Sequence, residues 1–193
     1  MCTQPKSAPD LTLQPQVKTQ QACLNPPAWG TIGSFGAYMN QDMMKLAIRV
    51  SQEKMMANEG GPFGAIIEKD GVVIATGWNK VTSSNDPTAH AEVVAIREAC
   101  QELQTFDLSG CTIYTSCEPC PMCLASIYWA HLDKIYYANT RQDAAHIHFD
   151  DEFLYTEIGL PIEKRKIPMQ QALREEAQKV FEMWTQKADK IEY

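Results

Sequence analysis

Two short strings, His90-Ala91-Glu92 and Pro119-Cys120-Pro121-Met122-Cys123, constrain this chain more than any other feature. One imidazole and two thiolates are favourable zinc ligands, and zinc in proteins prefers four ligands in a tetrahedron. Three protein ligands leave the fourth position for water, which is the arrangement of a catalytic zinc site. The fold must therefore bring two segments that are distant in sequence to one point.

Glu92 makes hydrolysis the favoured chemistry of this site. Bound zinc lowers the pKa of its water from about 15.7 to about 7 and so supplies hydroxide at neutral pH, but another group must move the proton. Glu92 follows His90 by two residues, roughly 200° around a helix, so it is poorly placed to bind metal on the same face. We interpret Glu92 as the general acid and base.

The cysteines allow two other interpretations. Cys117 could complete a closed, structural zinc site as the fourth ligand, although such a site has no need of an acidic residue beside the histidine. A redox-active Cys-x-x-Cys pair is the second alternative, and it leaves the string His90-Ala91-Glu92 unexplained.

Both strings are expected at the starts of helices. Apolar residues at helical spacing predict a helix over residues 89–103, with His90 and Glu92 in its first turn. Pro121 is typical of the first position of another helix. Because helix starts carry partial positive charge and free N–H groups, we expect thiolates at Cys120 and Cys123 and an ionised Glu92.

Composition limits the classes of partner and compartment. The 193 residues suit one domain, and residues 1–39, rich in Gln, Pro, Thr, Ser and Gly, are predicted to be a flexible leader. An odd number of cysteines, seven, and no apolar signal region near Met1 favour a reducing cytoplasm, and no apolar run is long enough for a membrane span. A net charge of −7 without a Lys/Arg cluster favours a small-molecule substrate over nucleic acid.

The rest of the pattern predicts an α/β sandwich. We expect a helix over 41–58, a hairpin of strands 63–67 and 72–77 joined by Asp70-Gly71, strands over 112–115 and 134–138, and a last helix from Pro168. This order is typical of chemistry at strand ends and helix starts. Residues 143–155 are expected to form a loop, in which His146 and His148 are interpreted as solvated rather than as a second metal site.

At its motifs the chain resembles the zinc-dependent nucleobase and nucleoside deaminases. Residues 61–65, 85–92 and 115–123 are similar to the strings of the bacterial guanine-deaminating branch, as are Phe149-Asp150-Asp151 and the closing Lys190-Ile191-Glu192-Tyr193. The resemblance runs from about Gln41 to the end. It implies a cytidine deaminase-like fold, a three-layer α/β/α sandwich with a mixed central sheet of about five strands, in which residues 40–193 form the deaminase domain with a C-terminal helix and a site-closing tail.

The resemblance also implies roles for single residues. One zinc ion per subunit is held by His90, Cys120 and Cys123, with water in the fourth position, and Glu92 is the proton shuttle. Asp151 and Glu157 are the further acidic residues implied to assist catalysis, by handling the substrate or its leaving amine.

By composition alone, Phe63 is interpreted as a core residue and Asn79 as a turn residue. The resemblance revises this interpretation and implies substrate binding at Phe63, which stacks on the purine, at Asn79, which hydrogen-bonds its edge, and at Ala91 and Tyr193. Relatives in this branch are homodimers that exchange C-terminal segments, so Tyr193 of one subunit is expected to close the active site of the other.

The implied reaction is hydrolysis of guanine to xanthine and ammonia, a step of purine catabolism and salvage, with water activated by Glu92 attacking C2. Guanosine, cytosine and aminated triazines are alternative substrates, because they need only a changed pocket wall. Deaminases of tRNA adenosine share the string over residues 86–92, but the acidic net charge of this chain disfavours a tRNA substrate. A non-catalytic zinc-binding module is disfavoured by the presence of Glu92.

Overall fold

The computed structural model describes residues 39–192, and a four-stranded mixed sheet lies at its centre. The strands are β1 (Gly64–Lys69), β2 (Val72–Trp78), β3 (Cys111–Cys117) and β4 (Lys134–Asn139), in the order β2-β1-β3-β4. Strand β1 is antiparallel to β2 and β3, whereas β3 and β4 are parallel. The mixed sheet is confirmed, with four strands in the described residues instead of about five. The predicted leader, except Met39, and Tyr193 lie outside those residues.

The predicted hairpin between β1 and β2 is confirmed. Asp70 and Gly71 have φ of 52° and 81°, and two successive positive φ values are the requirement of the type I′ turn that suits the twist of paired strands. Successive residues of β1 point to opposite faces of the sheet, so Ile66 contributes to one buried cluster and Ile67 to the other.

Helices cover both faces of the sheet, which confirms the three-layer α/β/α sandwich. Helix α1 (Gln41–Met56) packs its buried Met43, Ala47 and Val50 against Ile66 and Tyr114. On the other face, α3 (Ala91–Leu103) and α4 (Pro121–Trp129) pack against β1 and β3 through Ala95, Ala99 and Ile127. Helix α2 (Val81–Ser84) is a single turn between β2 and α3.

Two glycines set how closely the helices approach the sheet. A Cβ atom at Gly64 would lie 2.5 Å from the carbonyl oxygen of Ala47 in α1, and one at Gly77 would lie 2.1 Å from that of Ala91 in α3. Any side chain at Gly77 would therefore displace the start of α3, where His90 and Glu92 are located.

The C-terminal third contains more helix than the sequence predicts. Its elements are α5 (Arg141–His146), α6 (Glu152–Gly159), a 3-10 turn (Ile162–Lys164) and α7 (Arg174–Gln186). The prediction of a loop over 143–155 was wrong, because a Thr140/Asp143 capping box starts α5. The last helix begins at Arg174 instead of Pro168, after Leu173 in a left-handed conformation with φ of 52°.

Neither α6 nor α7 contains a buried residue. Val180, Phe181 and Met183 of α7 are each more than half exposed. Among the described helices, none has the length and apolar character needed to cross a membrane.

Candidate active site

The two sequence strings converge at the starts of neighbouring helices. His90 is the N-cap residue of α3 and Cys120 is the N-cap residue of α4, with Pro121 at the first helical position and Cys123 in the first turn. The helix predicted over 89–103 begins two residues later, because His90 adopts an extended conformation with φ of −68° and ψ of 157°. Its imidazole therefore lies beside the helix end and faces the cysteines.

Among the described residues, His90, Cys120 and Cys123 form the group of side chains able to hold a metal ion. The Nδ1 atom of His90 lies 3.6 Å from Sγ of Cys120 and 3.5 Å from Sγ of Cys123. A tetrahedral zinc ion, about 2.3 Å from sulfur and about 2.0–2.1 Å from nitrogen, separates such ligand atoms by about 3.5–3.6 Å. The three donors therefore fit zinc in identity and in spacing.

Cys117 is not part of this group. Its thiol donates to the carbonyl oxygen of Thr140 at 3.6 Å, and burial raises the pKa of the Cys117 thiol to about 11. The cluster of described side chains thus offers three ligands, and a closed four-ligand site is not formed.

The three ligand side chains form hydrogen bonds with one another, and these bonds shift their pKa values. Hydrogen bonds from Cys123 and His90 lower the pKa of Cys120 to about 4, although burial opposes this shift. The hydrogen bond to Cys120 and burial raise the pKa of Cys123, while the hydrogen bond to Cys120 raises the pKa of His90. Of the two thiolates expected from the helix starts, these hydrogen bonds favour one, at Cys120.

Glu92 projects from the first turn of α3 into the same site and is 6% exposed. One carboxylate oxygen accepts from the hydroxyl of Thr115 on β3, and the other accepts from the thiol of Cys123, each at 3.4 Å. Burial raises the pKa of Glu92 and outweighs the hydrogen bonding and the helix start that were expected to favour its ionised form.

A cavity of about 450 Å³ opens next to this cluster, and His90, Glu92 and Cys120 form part of its wall. This volume lies within the range of about 300–1,000 Å³ typical of small-ligand sites. Phe63 lines the cavity at the start of β1, and the ring of Phe149 meets it edge-on, with 4.9 Å between ring centroids. An apolar aromatic wall therefore adjoins the metal-binding group.

Asn79 lies at the end of β2 and is 7% exposed. Its amide oxygen accepts from the backbone N–H groups of Val81 at 3.2 Å and Gly61 at 3.5 Å. The NH₂ half of the amide is thus the part that can serve a ligand in the cavity, which Asn79 lines. The side chain therefore makes turn hydrogen bonds, as composition indicates, and its role in substrate binding stays a prediction.

The other residues predicted for the site are not all brought together. Asp151, at the N-cap of α6, lines the cavity, and burial raises the pKa of its carboxyl group. Glu157 lies outside the cavity lining and accepts a hydrogen bond from the backbone of Lys166 at 2.8 Å. Ala91 is fully buried and does not line the cavity, and Tyr193 lies outside the described residues.

His146 and His148, which were considered as a second metal site, occupy different positions. His146 ends α5, whereas His148 has φ of 70° and lines the cavity. The structure therefore adds His148 to the wall and forms no second metal-binding group among residues 39–192.

Sequence reasoning missed Phe149, Glu118 and Arg141 as cavity residues. Phe149 was noted only as part of a familiar string, and its contact with Phe63 depends on tertiary structure. Glu118 lies between two cysteines of a recognised motif, which was a usable signal. Arg141 had no local signal, since it is the first residue of a short helix that follows a strand.

Comparison with known proteins gives consistent results. The model of the cytidine and deoxycytidylate deaminase zinc-binding region matches residues 38–139. Guanine deaminase of Bacillus subtilis is 51% identical over 154 residues, which are 80% of this chain and 99% of the relative. A tRNA-specific adenosine deaminase of Buchnera aphidicola is 33% identical over 141 residues, 72% of this chain and 88% of the relative.

Solved structures of related proteins share the fold. The X-ray structure of guanine deaminase from Bacillus subtilis has a TM-score of 0.79 at 50% identity and covers 81% of this chain and 99% of its own. A guanine deaminase structure from Nitrosomonas europaea has a TM-score of 0.56 at 31% identity and covers 58% of this chain and 65% of its own. The expected cytidine deaminase-like fold is confirmed.

Proposed function

This chain belongs to the cytidine and deoxycytidylate deaminase family, whose zinc-binding region it carries, and we propose that it hydrolyses guanine to xanthine and ammonia. The observation that carries the proposal is the adjacency of three zinc ligands, His90, Cys120 and Cys123, to the buried carboxyl group of Glu92 on the wall of one small-ligand cavity. The similarity to Bacillus subtilis guanine deaminase along nearly its whole length supports guanine as the substrate.

The chain supplies the proton transfers of this reaction through Glu92. When bound, zinc supplies hydroxide at neutral pH. Glu92, held by Thr115 on one side, accepts the proton of the attacking water and returns it to the ring nitrogen next to C2. Glu92 then takes the proton of the hydroxyl group added at C2 and passes it to the departing amine, so that the bond between C2 and the amine breaks, ammonia leaves and xanthine remains. Burial favours the protonated carboxyl group that this donation requires.

The cavity walls provide recognition of a purine. We assign Phe63 to stacking on the base, with Phe149 supporting its ring edge-on. Because its oxygen is held by backbone N–H groups, Asn79 is assigned to donate from its NH₂ group to an acceptor on the purine edge. Asp151 is assigned to the leaving amine or to an N–H group of the base. No step is assigned to Glu157 or Ala91.

We further propose that the active unit is a homodimer in which C-terminal segments are exchanged. The apolar side chains of α7, including Val180, Phe181 and Met183, are exposed in the single chain and require a partner surface. Tyr193 is assigned to the active site of the other subunit, as the family resemblance implies.

The ligand set also bears on the compartment. Cys120 and Cys123 hold metal only as reduced thiolates, and five cysteines in the described residues are free of disulfides. We propose that the protein works in a reducing compartment, the cytoplasm.

The proposal is tested by incubating zinc-loaded protein separately with guanine, guanosine, cytosine and adenine and measuring ammonia. Release chiefly from guanine supports it. Release chiefly from guanosine or cytosine would keep the chemistry and overturn the substrate, and no release from any of the four would contradict guanine deamination. A tRNA substrate carrying adenosine, assayed in parallel, checks the reaction of the adenosine deaminase relatives.

A further inference from the structure

Arg141 occupies the junction between the sheet and the C-terminal helices. It is the first residue of α5, separated from β4 by Thr140, and its side chain is about one third exposed. The junction is held by the Thr140/Asp143 capping box, in which the Asp143 carboxylate accepts from the backbone N–H of Thr140 at 2.8 Å. Arg141 therefore starts from a fixed backbone position beside the cavity that it lines.

The backbone of this junction is bonded to the loop that carries Cys120. The N–H of Arg141 donates to a carboxylate oxygen of Glu118 at 3.0 Å, and the N–H of Glu118 donates to the carbonyl oxygen of Asn139 at 2.8 Å. The thiol of Cys117 donates to the carbonyl of Thr140. These contacts give the start of α5 a defined position relative to the metal ligands.

The side chain of Arg141 extends in the other direction, to α6. Its Nη1 atom lies 3.5 Å from a carboxylate oxygen of Glu152, and its guanidinium group lies 4.6 Å from the ring centroid of Tyr155. Glu152 and Tyr155 are three residues apart and share one face of α6. A planar guanidinium group suits this double contact, because it pairs with a carboxylate and stacks on an aromatic ring at once.

Helix α6 needs such a contact to keep its position. It has no buried residue, so packing into the core does not fix it. Yet Asp151, Phe153 and Leu154, at its start, line the cavity. Their placement depends on what holds the first turn of α6 to the rest of the domain.

We propose that Arg141 is a positioning residue that joins the cysteine loop to α6 and thereby sets the place of Asp151 at the cavity. The effect of Arg141 on turnover rests on the proposed guanine deamination, whereas its effect on the position of α6 is independent of that function.

The position of α6 is tested by hydrogen exchange of residues 152–159 in wild-type protein, Arg141→Lys and Arg141→Ala. We expect exchange to be faster in Arg141→Ala, and intermediate in Arg141→Lys, which keeps the charge and loses the planar group. The matched control is Arg49→Ala, which removes an exposed ion pair with Glu53 on α1 and should leave α6 unchanged. Unchanged exchange in Arg141→Ala would overturn the proposal.

A double-mutant cycle, measured with guanine as the substrate, tests whether Arg141 acts through Asp151. Arg141→Ala should lower kcat about 10- to 100-fold with zinc content unchanged, because a misplacement of about 1 Å costs up to about 100-fold. The double variant Arg141→Ala/Asp151→Asn should be no slower than Asp151→Asn alone, since the arginine acts through the aspartate. Losses that multiply would overturn this route of action.

The two proposals fail in different ways. If wild-type protein releases ammonia from none of the substrates, the proposed function fails and hydrogen exchange alone decides the role of Arg141. If wild-type protein is active and Arg141→Ala matches it in both kcat and exchange, only the role of Arg141 fails.

Discussion

Thr115 donates its hydroxyl group to the carboxylate of Glu92 at 3.4 Å, across the interface between β3 and the first turn of α3. The other oxygen of Glu92 lies at the same distance from the thiol of Cys123. The acidic side chain is thus oriented from both sides by side chains of this chain. Its position relative to the ligand cluster does not depend on a bound substrate.

Replacing Glu92 with Gln should separate metal binding from catalysis. The side chain of Gln has nearly the same shape as that of Glu, and Glu92 is not a member of the metal-binding group. The zinc content should therefore stay at the wild-type value. Because the amide cannot carry the proton, kcat for guanine should fall about 10²- to 10⁴-fold. Metal analysis and ammonia release on the same sample measure both effects. Glu98→Gln, an exposed change on the same helix, is the control, and near-normal activity in Glu92→Gln would contradict the assigned role.

Zinc binding should release protons, and its affinity should fall as pH is lowered. The pKa of about 4 favours a thiolate at Cys120 near neutral pH, whereas the raised pKa values of Cys123 and His90 favour their protonated forms. Metal displaces those protons, so we expect about one to two protons released per zinc ion at pH 7. Calorimetry in buffers of different ionisation enthalpy measures this number. Zinc binding without proton release would contradict the protonation pattern.

Cys117→Ala should retain zinc, and Cys123→Ala should lose it. The thiol of Cys117 donates to the carbonyl of Thr140 and stands outside the ligand group. We expect one zinc ion per chain in Cys117→Ala, as in the wild type, with a small loss of thermal stability from the missing side-chain volume. Inductively coupled plasma analysis of dialysed protein gives the metal content. Loss of zinc from Cys117→Ala would favour the closed structural site.

His131→Gly should stabilise the fold. His131 follows α4 with φ of 56°, and its N–H bonds the carbonyl of Tyr128 at 3.0 Å, in a helix-ending position where glycine is preferred. Removing the strain of a left-handed side chain should raise the free energy of unfolding by about 0.5–1 kcal/mol. Its ion pair with Asp107 is exposed and contributes little. His131→Ala, which keeps a Cβ atom, should show no such gain in a denaturant titration, and an equal gain would contradict the explanation.

Exchange of C-terminal segments predicts complementation between two inactive chains. Glu92→Ala lacks the proton shuttle, and Tyr193→Ala lacks the residue assigned to the partner's site. In a mixed dimer with exchanged tails, one site combines an intact Glu92 with an intact Tyr193. With random pairing after coexpression, about a quarter of all sites should recover. Activity no higher than the sum of the two separate variants would contradict the exchange.

The parts of the fold that the sequence predicted have strong local signals. Asp70-Gly71 specifies a tight hairpin turn by its backbone preference, and Pro121 marks the start of α4 at a cysteine ligand. The zinc cluster was predictable because residue type and helix starts define it without knowledge of distant contacts.

The parts that the sequence did not predict depend on tertiary contacts or on short elements. Helices α5 and α6 have six and eight residues, too short for a clear apolar period, and α6 buries none of them. Arg141 gains its position only when β4 lies beside β3, and Phe149 only when its loop reaches Phe63. The raised pKa of Glu92 results from burial, which opposes the effect of the helix start from which an ionised carboxylate was predicted.

The most direct test of the account is the mass of the product formed from guanine in water enriched in oxygen-18. Hydrolysis at C2, with the proton transfers assigned to Glu92, predicts xanthine that carries one labelled oxygen and an equal amount of ammonia. Zinc-loaded protein that leaves guanine unchanged, or that yields a product without the label, would contradict guanine deamination at this site.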